Sequence, residues 1–170
     1  MNADKTPQSG NGPRIAAGRT LLCVLDDTPE LSVALQFAAR RAQRTGAHVG
    51  MLYVIEDSTD FQHWSAIGDL MRAEANAKAE QLLTRGAEEV AKWNDELPIF
   101  YIREGNRRDE VIEQIQEDPS ISFLILGAAT GRDGPGPLVT GLTGRAVGQL
   151  HVPIVIVPGN MKEEEIASFA

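Results

Sequence analysis

The chain has a single cysteine, Cys23, among 170 residues. A lone thiol cannot close an intramolecular disulfide, so a cross-linked scaffold is excluded and a reducing compartment is expected. Set inside an apolar run, Cys23 reads as a small core side chain. No apolar stretch reaches the ~20 residues that span a bilayer. The stretch from Met1 to Gly18 is polar and rich in Gly, Pro and Asn. It lacks the apolar centre of a secretion signal. It is expected to be a disordered lead-in, and the protein to be cytoplasmic. Positive charge is scarce as well, with a formal net charge of −8. Broad binding to nucleic acid or to an anionic membrane needs clustered positive charge and is not expected. A local phosphate site, built from backbone amides and one or two arginines, remains compatible with that balance.

Catalytic constellations are missing too. His48, His63 and His151 are scattered, and no acid–base pair, nucleophile–histidine pair or metal-ligand cluster stands out. The sequence therefore points away from an efficient enzyme. There is no repeat of fixed period and no internal linker, and the length suits one domain with one core.

What is present is organised around Phe123 to Pro137. Phe123-Leu124-Ile125-Leu126 is a continuous apolar run that breaks into Gly127-Ala128-Ala129-Thr130-Gly131-Arg132-Asp133-Gly134-Pro135-Gly136-Pro137. The run reads as a strand buried on both faces, which needs no polar alternation. The break reads as a loop at its carboxyl end. Glycines there let backbone amides approach an anion, and a following helix start adds a positive partial charge. A plain connecting loop would also use these residue types.

Taken in order, Thr20 to Leu25 is a short apolar strand ending at Asp26-Asp27-Thr28-Pro29-Glu30. Thr28 suits an N-cap, Pro29 the first helical position and Glu30 a helix N-terminus. Leu31, Ala34, Leu35, Ala38, Ala39 and Ala42 recur at helical spacing until Gly46. His48 to Ile55 is a second buried strand, so the first three elements form a βαβ unit with parallel pairing. A polar loop is expected over Glu56–Gln62. A long helix from about Trp64 to Trp93 should bury Ile67, Leu70, Met71, Ala75, Ala79, Leu82, Leu83, Gly86, Val90 and Trp93. Pro98 to Arg103 is the third strand, and Asn106 caps the next helix, whose inner face is Val111, Ile112 and Ile115. Ile121 to Leu126 is the fourth strand. Leu138 to Leu150 is expected as one helix, weakened by Gly141, Gly144 and Gly148. Val152 to Pro158 is the fifth strand, and Pro153 marks it either as an edge strand or as one whose first residue escapes the ladder. The domain spans 19–158. The acidic tail, 159–170, is expected to be exposed, with Ile166 and Phe169 able to dock.

The pattern β-α-β-α-β-α-β-α-β predicts an α/β fold: an open five-stranded parallel sheet with helices on both faces. Ligands in such sheets lie beyond the carboxyl ends of strands, where the strand order reverses. The loops ending strands one and four, Asp26-Asp27-Thr28 and Gly127 to Gly136, hold the unusual residues. Asp26 and Asp27 could equally serve only to cap the helix. A phosphoacceptor receiver does not fit, because strand three ends in Arg103-Glu104 with no acceptor aspartate and no lysine closely follows strand five.

Val24-Leu25-Asp26-Asp27-Thr28 resembles the opening of universal stress proteins. So do the element order, the Gly131-Arg132 pair in the late loop, and the closing Pro153-Ile154-Val155-Ile156-Val157 strand. The resemblance covers Arg19 to Pro158. It implies a Rossmann-like sheet of strand order 3-2-1-4-5 and a stress-response regulatory role. It also implies a homodimer through the last strand and ATP in the crevice, with Mg²⁺ accompanying it. Nucleotide-binding members carry a glycine, two residues, a glycine, nine residues, then glycine and Ser or Thr. Here three residues separate Gly127 from Gly131, nine separate Gly131 from Gly141, and Leu142 stands in the hydroxyl position, flanked closely by Thr140 and Thr143. With ATP bound, the resemblance gives Asp26 the ribose or a nearby metal, with Asp27 beside it, and Val54 the adenine. Gly127, Gly131 and Gly141 would face the phosphates, Thr140 or Thr143 would stand in for the missing hydroxyl, and Arg132 or Arg145 would neutralise charge. The altered glycine spacing keeps two alternatives open: a member that binds no nucleotide and acts by protein contact, and a slow ATPase.

Overall fold

The computed structural model describes residues 18–56 and 65–170. The expected lead-in up to residue 17, most of the Glu56–Gln62 loop, His63 and the helix start at Trp64 lie outside these residues, as do the side chains of Ile67 and Met71.

The apolar runs form the strands β1 (Thr20–Leu25), β2 (His48–Ile55), β3 (Ile99–Glu104), β4 (Ile121–Ala128) and β5 (Ile154–Pro158). They make one five-stranded sheet in the order β3-β2-β1-β4-β5. Every pairing is parallel. The helices are α1 (Leu31–Thr45), α2 (Ser65–Ala91), α3 (Arg107–Glu117), α4 (Pro137–Thr143) and α5 (Glu163–Phe169). The chain moves outward from β1 to β3, then returns to place β4 beside β1. The reversal point therefore lies between β1 and β4, as the pattern required.

Alternation along the strands divides the core. Leu21, Cys23 and Leu25 of β1 face one side with Val49 and Met51, where Ala34, Leu35, Ala38 and Ala39 of α1 and Leu82, Leu83 and Val90 of α2 cover them. The alanines let α1 lie close to the sheet. Leu22, Val24, Leu52 and Val54 face the other side, against Val111, Ile112 and Ile115 of α3 and Val139 and Leu142 of α4. Strands buried on both faces need continuous apolar runs, which is what the sequence supplies.

Four local expectations are corrected. Thr28 does not cap α1: Thr28 to Glu30 form a turn in which Leu31 N–H donates to the Thr28 carbonyl, and Glu30 sits at the N-cap without a side-chain bond. Leu70 is exposed rather than part of the buried face of α2. The expected helix from Leu138 to Leu150 breaks at Gly144, whose ψ of −129° lies outside the helical range, ends α4 and leaves a short 3-10 turn over Arg145–Gln149. The acidic tail folds into α5. Its Ile166 is buried against the domain, while Phe169 stays exposed. Glu163 pairs with Arg40 of α1 at 2.9 Å, and Arg44 donates to the carbonyls of Ala167 and Ala170.

Candidate functional site

Parallel pairing sends every strand-to-helix loop to the same end of the sheet, so the loops after β1, β3 and β4 meet there. Between β1 and β4 they enclose a crevice of about 100 Å³ that Asp26, Thr28, Glu30, Arg107, Gly127 and the Pro135-Gly136-Pro137 turn all line. Asp26 and Gly127, remote in sequence, thus share one wall.

Asp26 is oriented locally. Its Oδ1 accepts a 2.6 Å bond from the Thr28 hydroxyl and a longer one from the Thr28 backbone N–H. A carboxylate held this way keeps its other oxygen available as an acceptor. Asp27 turns outward and pairs with Lys78 of α2 at 3.3 Å, both groups exposed. Gly127 is needed for close approach: a Cβ there would lie 2.7 Å from the Glu30 carbonyl oxygen. Gly159 donates its N–H to the Ala128 carbonyl at 2.8 Å, tying the chain after β5 to the end of β4.

Beyond β4 the loop folds back, with Ala129 N–H donating to the Pro135 carbonyl at 3.3 Å. Gly134 and Gly136 adopt φ of +88° and +103°, a region that favours glycine. Pro137 then opens α4 at its first turn. This turn forms one wall of the crevice and limits its volume.

The remaining candidates do not line the crevice. Gly131 and Arg132 are exposed on the outer part of the loop, and a Cβ on Gly131 would meet nothing. A Cβ on Gly141 would stand 3.7 Å from the aliphatic part of Arg108. Thr140 and Thr143 donate their hydroxyls to the Gly136 and Val139 carbonyls of their own helix. Arg145 is exposed beyond the Gly144 break. Val54 is buried in the core on the α3 side of the sheet.

Arg107 was not singled out from the sequence. It starts α3 directly after Asn106, whose side chain accepts from Asp109 N–H. Its guanidinium bonds Glu56 at 2.8 Å, at the end of β2, and its Nε is buried with no partner among the described residues. Position was the available signal: an arginine opening the helix after β3 must lie at the loop end of the sheet.

The donor set suits parts of a nucleotide. A carboxylate can accept from sugar hydroxyls, and a guanidinium matches a phosphate. The volume does not suit a whole one, since sites for molecules of that size run to roughly 300–1,000 Å³. With the Pro135–Pro137 turn in this position the crevice by itself is smaller than a whole ATP. Among the described residues no group of His, Cys, Asp and Glu is arranged to hold a metal ion, and no helix is long and apolar enough to cross a membrane. The larger hollow, of about 540 Å³, lies on the other side of Asp26 between α1 and α2, with Leu35, Leu82 and Gly86 in its lining.

An open parallel sheet with a crevice at its reversal point defines the doubly wound α/β class. Within it, the model of the Universal stress protein family matches residues 18–158, and the chain belongs to that family. Universal stress protein UspA from Lactobacillus plantarum superposes with a TM-score of 0.67 at 20% identity, covering 84% of this chain and 99% of that one. A universal stress protein in complex with cAMP gives 0.60 at 14% identity, covering 84% and 98%. The Archaeoglobus fulgidus universal stress protein in complex with dAMP gives 0.53 at 15% identity, covering 83% and 98%. These likenesses carry the fold. No curated protein matches the chain.

Proposed function

We propose that this universal stress protein is a stress-response regulator that binds an adenine nucleotide at the crevice between β1 and β4. The observation that carries the reading is the convergence of Asp26, Gly127 and Arg107 on one small space. Two structural relatives, one in complex with cAMP and one in complex with dAMP, support the ligand class. In this reading Asp26 accepts from the ribose, Arg107 turns from Glu56 to the phosphate, and the Pro135–Pro137 turn swings outward about Gly134 and Gly136 to make room. Nucleotide and closed turn then exclude each other, which gives a two-state element for partners to sense. ATP needs the widest opening. A homodimer through β5 belongs to the same proposal, because Ile156 is exposed on that edge strand and an uncovered apolar edge invites pairing.

A second reading has its own observation. The crevice is small, and Gly131, Gly141 and Thr143 lie away from it. A member acting by protein contact alone would look like this.

Titration of the full chain with ATP, AMP and cAMP separates the two. Saturable binding that weakens at least about tenfold in Asp26→Ala and in Arg107→Ala, roughly 1.4 kcal/mol each, supports the nucleotide reading. Absence of binding by folded protein at millimolar nucleotide supports contact alone.

A further inference from the structure

The open side of Gly127 is taken by Glu30. A Cβ on Gly127 would stand 2.7 Å from the Glu30 carbonyl oxygen and 3.0 Å from the Glu30 Cβ. A Cβ on Gly159, just past β5, would overlap the Glu30 Cγ. The stem of Glu30 is therefore laid across two glycines, at the carboxyl ends of β4 and β5. At the N-cap of α1 it makes no side-chain bond. The resemblance set Gly127 before the phosphates of a nucleotide. What meets this glycine instead is a carbonyl oxygen and the stem of an acid, and neither has a hydrogen to donate to a phosphate.

We propose that this crevice, on the reading of it as an adenine-nucleotide site, selects nucleotides with a single phosphate group over ATP, and that Glu30 sets the preference. A polyphosphate is held by several converging N–H groups and cations. Here that supply is short. Among the described residues Arg107 is the one cation lining the crevice, and Asp26 and Glu30 stand against it. One guanidinium offers its fork to one phosphate. Arg132 and Arg145 do not line the space. The hydroxyls of Thr140 and Thr143 are spent on the Gly136 and Val139 carbonyls. The helix that follows is only seven residues long, and Pro137 at its start lacks an N–H that a longer helix would offer an anion.

Charge then separates the ligands. A cyclic phosphodiester carries a single charge, and a phosphate monoester carries about −1.5 to −2 at pH 7. Arg107 can answer either. The β- and γ-phosphates of ATP add more charge with no partner left for it. Glu30 lines the same space of about 100 Å³, so each further phosphate comes within Coulomb range of its carboxylate.

Titration of the full chain with cAMP, AMP and ATP in EDTA tests the order. cAMP and AMP are each expected to bind at least about tenfold tighter than ATP. Glu30→Gln keeps the stem on both glycines and removes the charge. Folded by circular dichroism, it should tighten ATP at least about fivefold more than it tightens cAMP. Asp133→Asn removes an equal charge from the exposed part of the loop after β4 and should leave that ratio unchanged. Salt gives a measurement that needs no variant. Between about 50 and about 500 mM the wild-type gap between cAMP and ATP should narrow, because screening relieves the repulsion. ATP binding as tightly as AMP overturns the selection and leaves the crevice reading standing. A ratio unmoved by Glu30→Gln, or moved equally by Asp133→Asn, overturns the role of Glu30, and a gap that widens with salt overturns repulsion as its cause. Folded protein that binds none of the three nucleotides removes the selection and the crevice reading together.

Discussion

Gly127, one residue before the end of β4, lies against the backbone of Glu30, whose carbonyl oxygen lies 2.7 Å from where a Cβ would stand. The contact joins β4 to the start of α1 beside the crevice, and backbone cannot yield as a flexible side chain can. Gly127→Ala is expected to cost about 1–3 kcal/mol through forced displacement of the α1 start. Gly131→Ala, with open space around it, should stay within about 0.5 kcal/mol of wild type. Urea unfolding of the two variants checks the pair. Equal stability would mean that the close approach is not a constraint.

Tyr101 donates its hydroxyl to Asp118 at 2.7 Å, pinning β3 to the end of α3. Burial acts to raise the Asp118 pKa, but the bonds from Ser120 and Tyr101 outweigh it and hold the carboxyl below its ordinary value. The resulting stabilisation is present above the unfolded value of about 4. It is lost as pH falls through the lower folded value. Burial, then the bond to Asp118, raise the Tyr101 phenol, so its contribution is present below about pH 10 and is lost as pH rises through the raised folded value. Tyr101→Phe should cost about 1 kcal/mol at neutral pH, with the gap to wild type narrowing below about pH 4. A gap unchanged at pH 2 would show that the carboxylate charge has no part in it.

Cys23 is fully buried, and burial raises its thiol to about 12. The reactive thiolate is therefore suppressed twice, by protonation and by lack of access. Thiol reagents should label native protein at least about a hundredfold more slowly than unfolded protein, with the rate rising through the unfolding transition in denaturant. Rapid native labelling would mean that β1 opens locally.

Ile166 anchors α5 at 1% exposure. Ile166→Ala is expected to cost about 2–4 kcal/mol if α5 unfolds with the domain. Ile166→Asp should expose the 163–169 segment to limited proteolysis while the sheet stays intact. The same protease resistance in Ile166→Asp and wild type would show that Arg40 and Arg44 suffice to hold the helix.

Much of this was legible in the sequence because a parallel sheet buried on both faces leaves long apolar runs. Thr20–Leu25, His48–Ile55 and Ile121–Leu126 carry no competing signal. The meeting of Asp26 with Gly127 followed from topology, since parallel strands end on the same side and the chain returns to β1 after β3. The failures are local or rest on single contacts. One isoleucine amid Glu163, Glu164 and Glu165 does not announce a docked helix, because the α1 arginines that receive it are over a hundred residues away. The glycines after β4 hinted at phosphate contacts, yet Pro135 and Pro137 fix a turn that carries Gly131 outward and starts α4 early. Arg107 was hidden because its environment comes from β2 and β4, not from its own neighbours.

Asp26 borders both hollows, the crevice toward β4 and the larger groove between α1 and α2. One carboxylate is thus a party wall, and a charge drawn up on either side alters the potential on the other across a few ångströms of protein. The two chambers share one charge, so a guest in either would change the field that a guest in the other meets.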